Sequence, residues 1–171
     1  MNDFGNRIVR AMKLDVDLYE EVEADKSAMG QAMGIVILTS IAAGIGTANA
    51  GLWGLLGGTF AALLGWFVWS YITYIIGTKL LPEEQTEADI GELLRTIGFS
   101  SSPGLIRVLG IIPGLREIVF LIAGIWMLVA MVIAVRQALD YQKTPRAIGV
   151  CIIGWIIQGI IFGVVFTIFS G

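Results

Sequence analysis

Between Lys26 and Lys79 the chain contains no charged residue, and an interval of that length holds two membrane passes of about 20 residues each. Two more charge-free runs follow, Ile118 to Val135 and Ala147 to Gly171. The pattern predicts spans over 29–48, 52–77, 117–136 and 146–169. The segment between the second and third of these, 91–112, is long enough to cross but carries Glu92, Arg95, Ser100, Ser101, Ser102, Pro103 and Arg107. Pro103 cannot donate to the carbonyl of Phe99 and its ring clashes there, so a helix is expected to kink or break near Ser100 to Pro103. The adjacent serines can satisfy the freed carbonyls, and backbone of this kind is tolerated at membrane depth only when buried in protein or facing water. The expected fold is an all-α membrane protein with five transmembrane helices, the third kinked or broken, and an N-terminal amphipathic interfacial helix. Residues 1–28 form a cytoplasmic amphipathic and acidic segment, and 29–171 a single transmembrane domain.

Ahead of the spans, Phe4, Ile8 and Met12 recur at helical spacing while Arg7, Arg10 and Lys13 take another face. A helix of this type lies in the membrane interface, its basic face meeting anionic headgroups at about 1 kcal/mol per residue. The alternative is an ordinary helix packed on the cytosolic ends of the spans. Asp17 followed by Glu20 has the spacing of a capping box for a second helix, Leu18 to Asp25, whose acids Glu20, Glu21, Glu23 and Asp25 read as a solvated face. No loop of alternating oxygen ligands with a central glycine accompanies these acids, which weighs against calcium. The first 26 residues lack the short apolar core of a secretory signal, so the first span is expected to act as an uncleaved anchor.

The turn at Asn49, Ala50 and Gly51 makes the first two spans an antiparallel hairpin. Lipid gives helices no hydrophobic reason to associate, so small residues mark the contact faces. Ser40, Gly44 and Ala48 form one such line, Gly54, Gly58 and Ala62 a second, Ala130, Ala134 and Ala138 a third, and Gly159 with Gly163 a fourth. These lines serve intramolecular packing or a homo-oligomer. Trp66 falls in mid-span and reads as packing, and Gln158 as a donor to a neighbouring helix.

Composition agrees: 56% of residues are apolar, 15% charged, and mean hydropathy is +0.82, far from a soluble domain. The net charge of -3 gives no footing for nucleic acid. There is no histidine, and Cys151 is the one cysteine, so no intramolecular disulfide or thiolate metal cluster forms. No phosphate loop or nucleophile motif occurs, and three serines without a base make no nucleophile. No catalytic, cofactor-binding or metal residue is assigned, and the protein is expected to be non-enzymatic and without cofactor.

The run Leu93-Leu94-Arg95-x-x-Gly98-Phe99-Ser100-x-x-Pro103, then Trp126 and Arg136-Gln137-Ala138, resembles the core of the Yip1 family of five-span membrane proteins. The run Leu18 to Asp25 is similar to its prokaryotic members. The resemblance covers roughly Leu14 to the C terminus and implies a fold but no settled activity. Eukaryotic relatives are associated with Rab GTPases and vesicle traffic and carry an Asp-Leu-x-Gly-Pro motif ahead of the spans. This chain has no such motif, which argues against a GTPase partner and for a prokaryotic-type protein of the cell (inner) membrane.

With five spans and a cytoplasmic N terminus, Arg7, Arg10, Lys13, Lys26, Lys79, Arg95, Arg136, Lys143 and Arg146 lie inside, nine against Arg107 and Arg116 outside, as the positive-inside rule requires. A re-entrant third segment gives four spans and eight against three. The family resemblance selects five, with the C terminus outside. Arg107 then snorkels towards the outer interface with Glu117 as its nearest partner, and Arg95 pairs with Glu92 three residues away. Two functional readings follow. One is a membrane-organising or trafficking-type adaptor acting through helix packing and its contacts with the bilayer, another membrane protein or a second copy. The other is a small transporter or channel subunit whose broken third span, with Arg95, Gly98, Ser100, Ser101, Ser102, Pro103 and Arg107, lines a polar path.

Overall fold

The computed structural model describes residues 4–47 and 51–170, and among them it contains helices and no strand. Two short helices, α1 (Phe4–Met12) and α2 (Val16–Ala24), precede a 3-10 turn (Lys26–Ala28) that leads into α3 (Met29–Gly46). Next come α4 (Gly51–Ile75), extended by a π turn (Ile76–Leu80), and α5 (Ile90–Ser100) with a 3-10 segment (Ser102–Ile111). The chain finishes with α6 (Arg116–Ala138) and α7 (Thr144–Ser170). Among the described residues four stretches are long and apolar enough to cross a membrane: Lys26–Gly46, Gly51–Leu80, Arg116–Ala138 and Thr144–Ile161. The expected turn at Asn49 and Ala50, with Ala48, lies outside the described residues.

The segment carrying Pro103 occupies the middle of the bundle. Its first part, α5, opens with a capping box between Asp89 and Glu92. Glu92 is therefore committed to the helix start and not, as its spacing suggests, to Arg95. Leu93 to Ser100 are all buried. At the break the serines bond backward: the Ser100 hydroxyl donates to the Ile97 carbonyl at 2.7 Å, and that of Ser102 to the Phe99 carbonyl at 2.7 Å. The second bond serves the acceptor that Pro103 cannot. Beyond it the chain runs as a 3-10 helix of ten residues, far longer than the usual three or four.

Two cores form at one end of the bundle, called here the capped end because α1 and α2 sit on it. One joins Trp69, Ile72, Leu93, Ile97, Leu139 and Val150 with their neighbours, and the other joins Leu18, Tyr19, Val22, Ile35, Phe99 and Ala134. Tyr141 ties the first together, its hydroxyl donating to the carbonyls of Gly77 (3.0 Å) and Leu81 (2.6 Å). Towards the opposite end the helices diverge, and Trp53, Leu56, Phe60, Leu64 and Phe67 of α4 are exposed. Trp66 packs inward as expected, its indole N–H donating to the Leu94 carbonyl at 3.0 Å.

The small-residue lines divide, some packed as the sequence suggests and others facing open space. Ala130, Ala134 and Ala138 are fully buried. Gly44, Gly54, Gly58 and Ala62 instead border a cavity of about 380 Å³ between α3 and α4, and a Cβ at Gly58, Gly159 or Gly163 meets nothing within 4 Å. Close approach occurs where no such line pointed. A Cβ on Gly98 would sit 2.7 Å from that of Ala32, and one on Gly46 would collide with the Arg107 carbonyl. Overpacking costs about 1–3 kcal/mol, so Gly98→Ala and Gly46→Ala should lower the thermal midpoint of the detergent-solubilised protein. Gly58→Ala and Gly163→Ala should leave it unchanged to within about 0.5 kcal/mol.

Candidate functional site

The residues that carry chemistry in this sequence meet in two places. The first is the seat of the N-terminal helices. Asp15, not Asp17, caps α2, accepting from the Asp17 amide at 3.1 Å, and Leu14 turns the chain with φ 60°. The tight turn folds α1 back so that its basic face meets α2 and not headgroups. Arg7, 3% exposed in its side chain, donates to Glu21 (2.9 Å), Gln31 (2.8 Å) and Asp25 (2.8 Å). Arg10 donates to Asp15 (2.7 Å) and Glu21 (2.5 Å). Lys13 alone of the three basic residues is exposed. The Arg10 and Arg7 guanidiniums hold the Glu21 carboxyl below the ordinary range, and Arg10 does the same for Asp15. Of the expected solvated acidic face, Glu20 stays exposed while Glu21 and Asp25 turn to the arginines, and Arg7 and Arg10 of the expected interfacial basic face are ion-paired within the helix pair.

Arg95 joins this pair to the bundle. It is 4% exposed, and its Nε donates to the carbonyls of Val22 (2.9 Å) and Glu23 (3.2 Å) while Nη2 donates again to Glu23. These carbonyls belong to the last turn of α2, where the helix has no N–H groups of its own to offer and its dipole favours a cation. Trp126 does the same for α1, its indole donating to the Met12 carbonyl at 2.8 Å, and Gln137 donates to Glu20. Arg136 is held within its own corner by Gln137 (2.9 Å) and Thr144 (3.3 Å). Gly98 and Phe99 complete the seat, against Ala32 and within the second core.

The side chain of Glu23, unlike its carbonyl, takes no part in these pairings: its Oε2 is buried without a partner. Burial, reinforced by Asp140, Glu20 and Glu92, pushes its carboxyl up to about 8. The sequence reads Glu23 as one acid of a solvated face, and the structure corrects this, because that side of α2 turns towards the bundle.

The second place is a cavity of about 740 Å³ inside the bundle, bordered by Thr39, Ser40, Ser100, Ser101, Arg107 and Gln158 among apolar walls. Pro103 and Ser102 are buried behind it. Arg107 neither reaches Glu117 nor any other carboxylate. Its guanidinium carbon lies 5.5 Å from the centre of the Phe120 ring, with Nε buried and unpartnered. Glu117 stands exposed beside Arg116 at 3.8 Å. Among the described residues no group of three or more carboxylate or thiol ligands could hold a metal ion.

Two outcomes follow from the first place. Arg95→Met should weaken folding by about 2–3 kcal/mol, the worth of hydrogen bonds to a charged group, and open the chain between α1 and α3 to limited proteolysis. Arg95→Lys should recover only part of this, because an ammonium lacks the planar fork. For Glu23 the folded state holds a proton that the unfolded chain releases at its ordinary value of 4.5, so this contribution to stability is complete below that value and is lost as pH rises towards 8. Glu23→Gln should therefore raise the thermal midpoint at pH 8.5 and leave it unchanged at pH 4, with a smaller fall between them than in the wild type.

No curated protein and no solved structure matches the chain. The family model described as Yip1 domain matches residues 24–166, beginning at the last residue of α2 and taking in Arg95, Trp126 and Gln137. On the extent of that match, the chain belongs to the Yip1 domain family.

Proposed function

We propose that this Yip1-family membrane protein is a non-enzymatic, membrane-organising adaptor that acts through helix packing and partner binding. The observation that carries the reading is the use made of the polar residues in the broken segment. Arg95 donates to carbonyls of α2, and Ser100, Ser101 and Ser102 donate to carbonyls of their own segment, so these groups, which would otherwise line a polar path, are committed to backbone acceptors. The surface offered outward is apolar: Trp53, Leu56, Phe60, Leu64, Phe67 and Tyr71 form one exposed stripe on α4, at the i, i+3, i+4 spacing of a helix face offered to lipid or to another helix.

The proposal includes five crossings, with the N terminus cytoplasmic and the C terminus outside, in a prokaryotic inner membrane. Support comes from the course of the broken segment along α3. Gly91 lies beside Met29, Gly98 beside Ala32, Gly104 beside Thr39 and Gly110 beside Gly46, so the segment keeps pace with a helix long enough to cross. Cysteines placed at Asn6 and Thr167 in a Cys151→Ser background should react with an impermeant maleimide from opposite sides of the membrane. Labelling from one side would leave four crossings. In liposomes the purified protein should raise neither ion nor lipid flux above empty vesicles, and flux abolished by Arg107→Ala would replace the adaptor with a transporter.

A further inference from the structure

We propose that the cavity at Arg107 is a binding site for an anionic phospholipid, with the lipid phosphate on the Arg107 guanidinium and an acyl chain in the cavity beyond it. The charge comes first. Arg107 is the one charged side chain among the described residues on the border, and it, Gln158 and the Trp69 indole make no hydrogen bond among the described residues, whereas the hydroxyls of Thr39, Ser40, Ser100 and Ser101 donate to backbone carbonyls three or four residues back. No acid borders either cavity that Arg107 touches. A half-buried guanidinium with no carboxylate partner, set beside the Phe120 ring, favours an anion from elsewhere. Arg95, twelve residues earlier, shows what a satisfied arginine in this bundle looks like.

The shape supplies the hydrocarbon part of the argument. The cavity is of ligand size, within the roughly 300–1,000 Å³ of small-molecule sites, and Trp66, Trp69 and Trp155 wall its deeper part. Three glycines face it, Gly65 of α4, Gly124 of α6 and Gly159 of α7, and a Cβ on any of them meets nothing within 4 Å. Three helices thus omit side chains around one space, and they do so where α4 and α7 part and their flanks, Leu64 and Ile160, are exposed. The proposed entry for the lipid lies between these exposed flanks. Arg107 stands at the end of it away from α1 and α2, beside Gly46 at the close of α3, at a depth where a headgroup of the nearer leaflet can meet it. A single anionic phospholipid satisfies the cation and fills the apolar volume together, which a free anion does not.

The test is native mass spectrometry of the delipidated protein in detergent, titrated with dioleoyl phosphatidylglycerol, dioleoyl phosphatidylcholine or inorganic phosphate. One phosphatidylglycerol per protomer should bind at least about tenfold more tightly than phosphatidylcholine, because both offer a phosphate to Arg107 but the choline ammonium sets a like charge beside the guanidinium. Arg107→Gln should abolish that preference and Arg107→Lys retain part of it, while Gly159→Leu, placed in open space, should weaken both lipids without lowering the thermal midpoint. Equal binding of the two lipids, an undiminished preference in Arg107→Gln, or displacement of phosphatidylglycerol by millimolar inorganic phosphate would overturn the site. If Arg107→Gln does not fold, Gly159→Leu decides: unchanged phosphatidylglycerol binding by that variant removes the proposal.

Discussion

The contact on which the rest depends is the guanidinium of Arg95 against the open end of α2. A helix ends with carbonyls that have no N–H partners, and in a buried setting each of these costs free energy unless something donates to it. Arg95 supplies three donor contacts to two such carbonyls and places its positive charge where the helix dipole is negative. One buried cation and one buried helix end, each costly alone, become acceptable together. Trp126 repeats the device at the end of α1. The two short helices are thereby fixed by their C-termini, and the ion pairs of Arg7 and Arg10 fix their mutual angle.

This arrangement gives the bundle two unlike halves. Near the N-terminal helices, every element packs into one of two cores, and Phe99, Ala134 and Ala138 reach full burial. Towards the other end α4 and α7 separate and glycines face open space. In water such a gap would collapse, since exposed apolar walls drive closure. Within lipid the walls are already in an apolar solvent, and closure gains only the packing contacts that glycines cannot make. A membrane protein of this kind can therefore keep an open half without losing the stability held in its closed half.

What the sequence disclosed and what it hid divide along the same line. Long charge-free runs require spans whatever surrounds them, and Pro103 must break a helix because its missing N–H is a local fact. The hydroxyl of Ser102 on the Phe99 carbonyl follows from that break. Partner identity is not local. The 3.6-residue period shows that Arg7 and Arg10 share a face, but that face meets lipid or acid according to how the chain turns at Leu14, a non-glycine residue in a left-handed conformation with nothing in its type to announce it. Glu92 has the spacing to pair with Arg95 and also to close a capping box with Asp89, and the backbone amides of a helix start are the nearer partners. The small-residue lines at Gly54 and Gly58 or Gly159 and Gly163 state that helices could approach. Whether they do depends on divergence of the axes, which spacing does not encode.

The contrast between the two arginines of the broken segment is a consequence of the change in helix type between them. Arg95 lies on α-helical backbone, and Arg107 on a 3-10 helix in which residues three apart eclipse one another. Gly104, Arg107 and Gly110 therefore stand in one column. The glycines at either end let that column press between its neighbours, against Thr39 and Met127 at one level and against Gly46 and Phe120 at the next. On continued α-helix the same three positions would wind around the axis by about 60° at each step. Arg107 would then leave the plane set by the two glycines and turn away from the space between α3, α4 and α6. The break at Pro103 thus does more than remove a hydrogen bond: by changing the residues per turn it sets the direction of Arg107, the cation of the 3-10 segment, into a cavity where no acid among the described residues answers its charge.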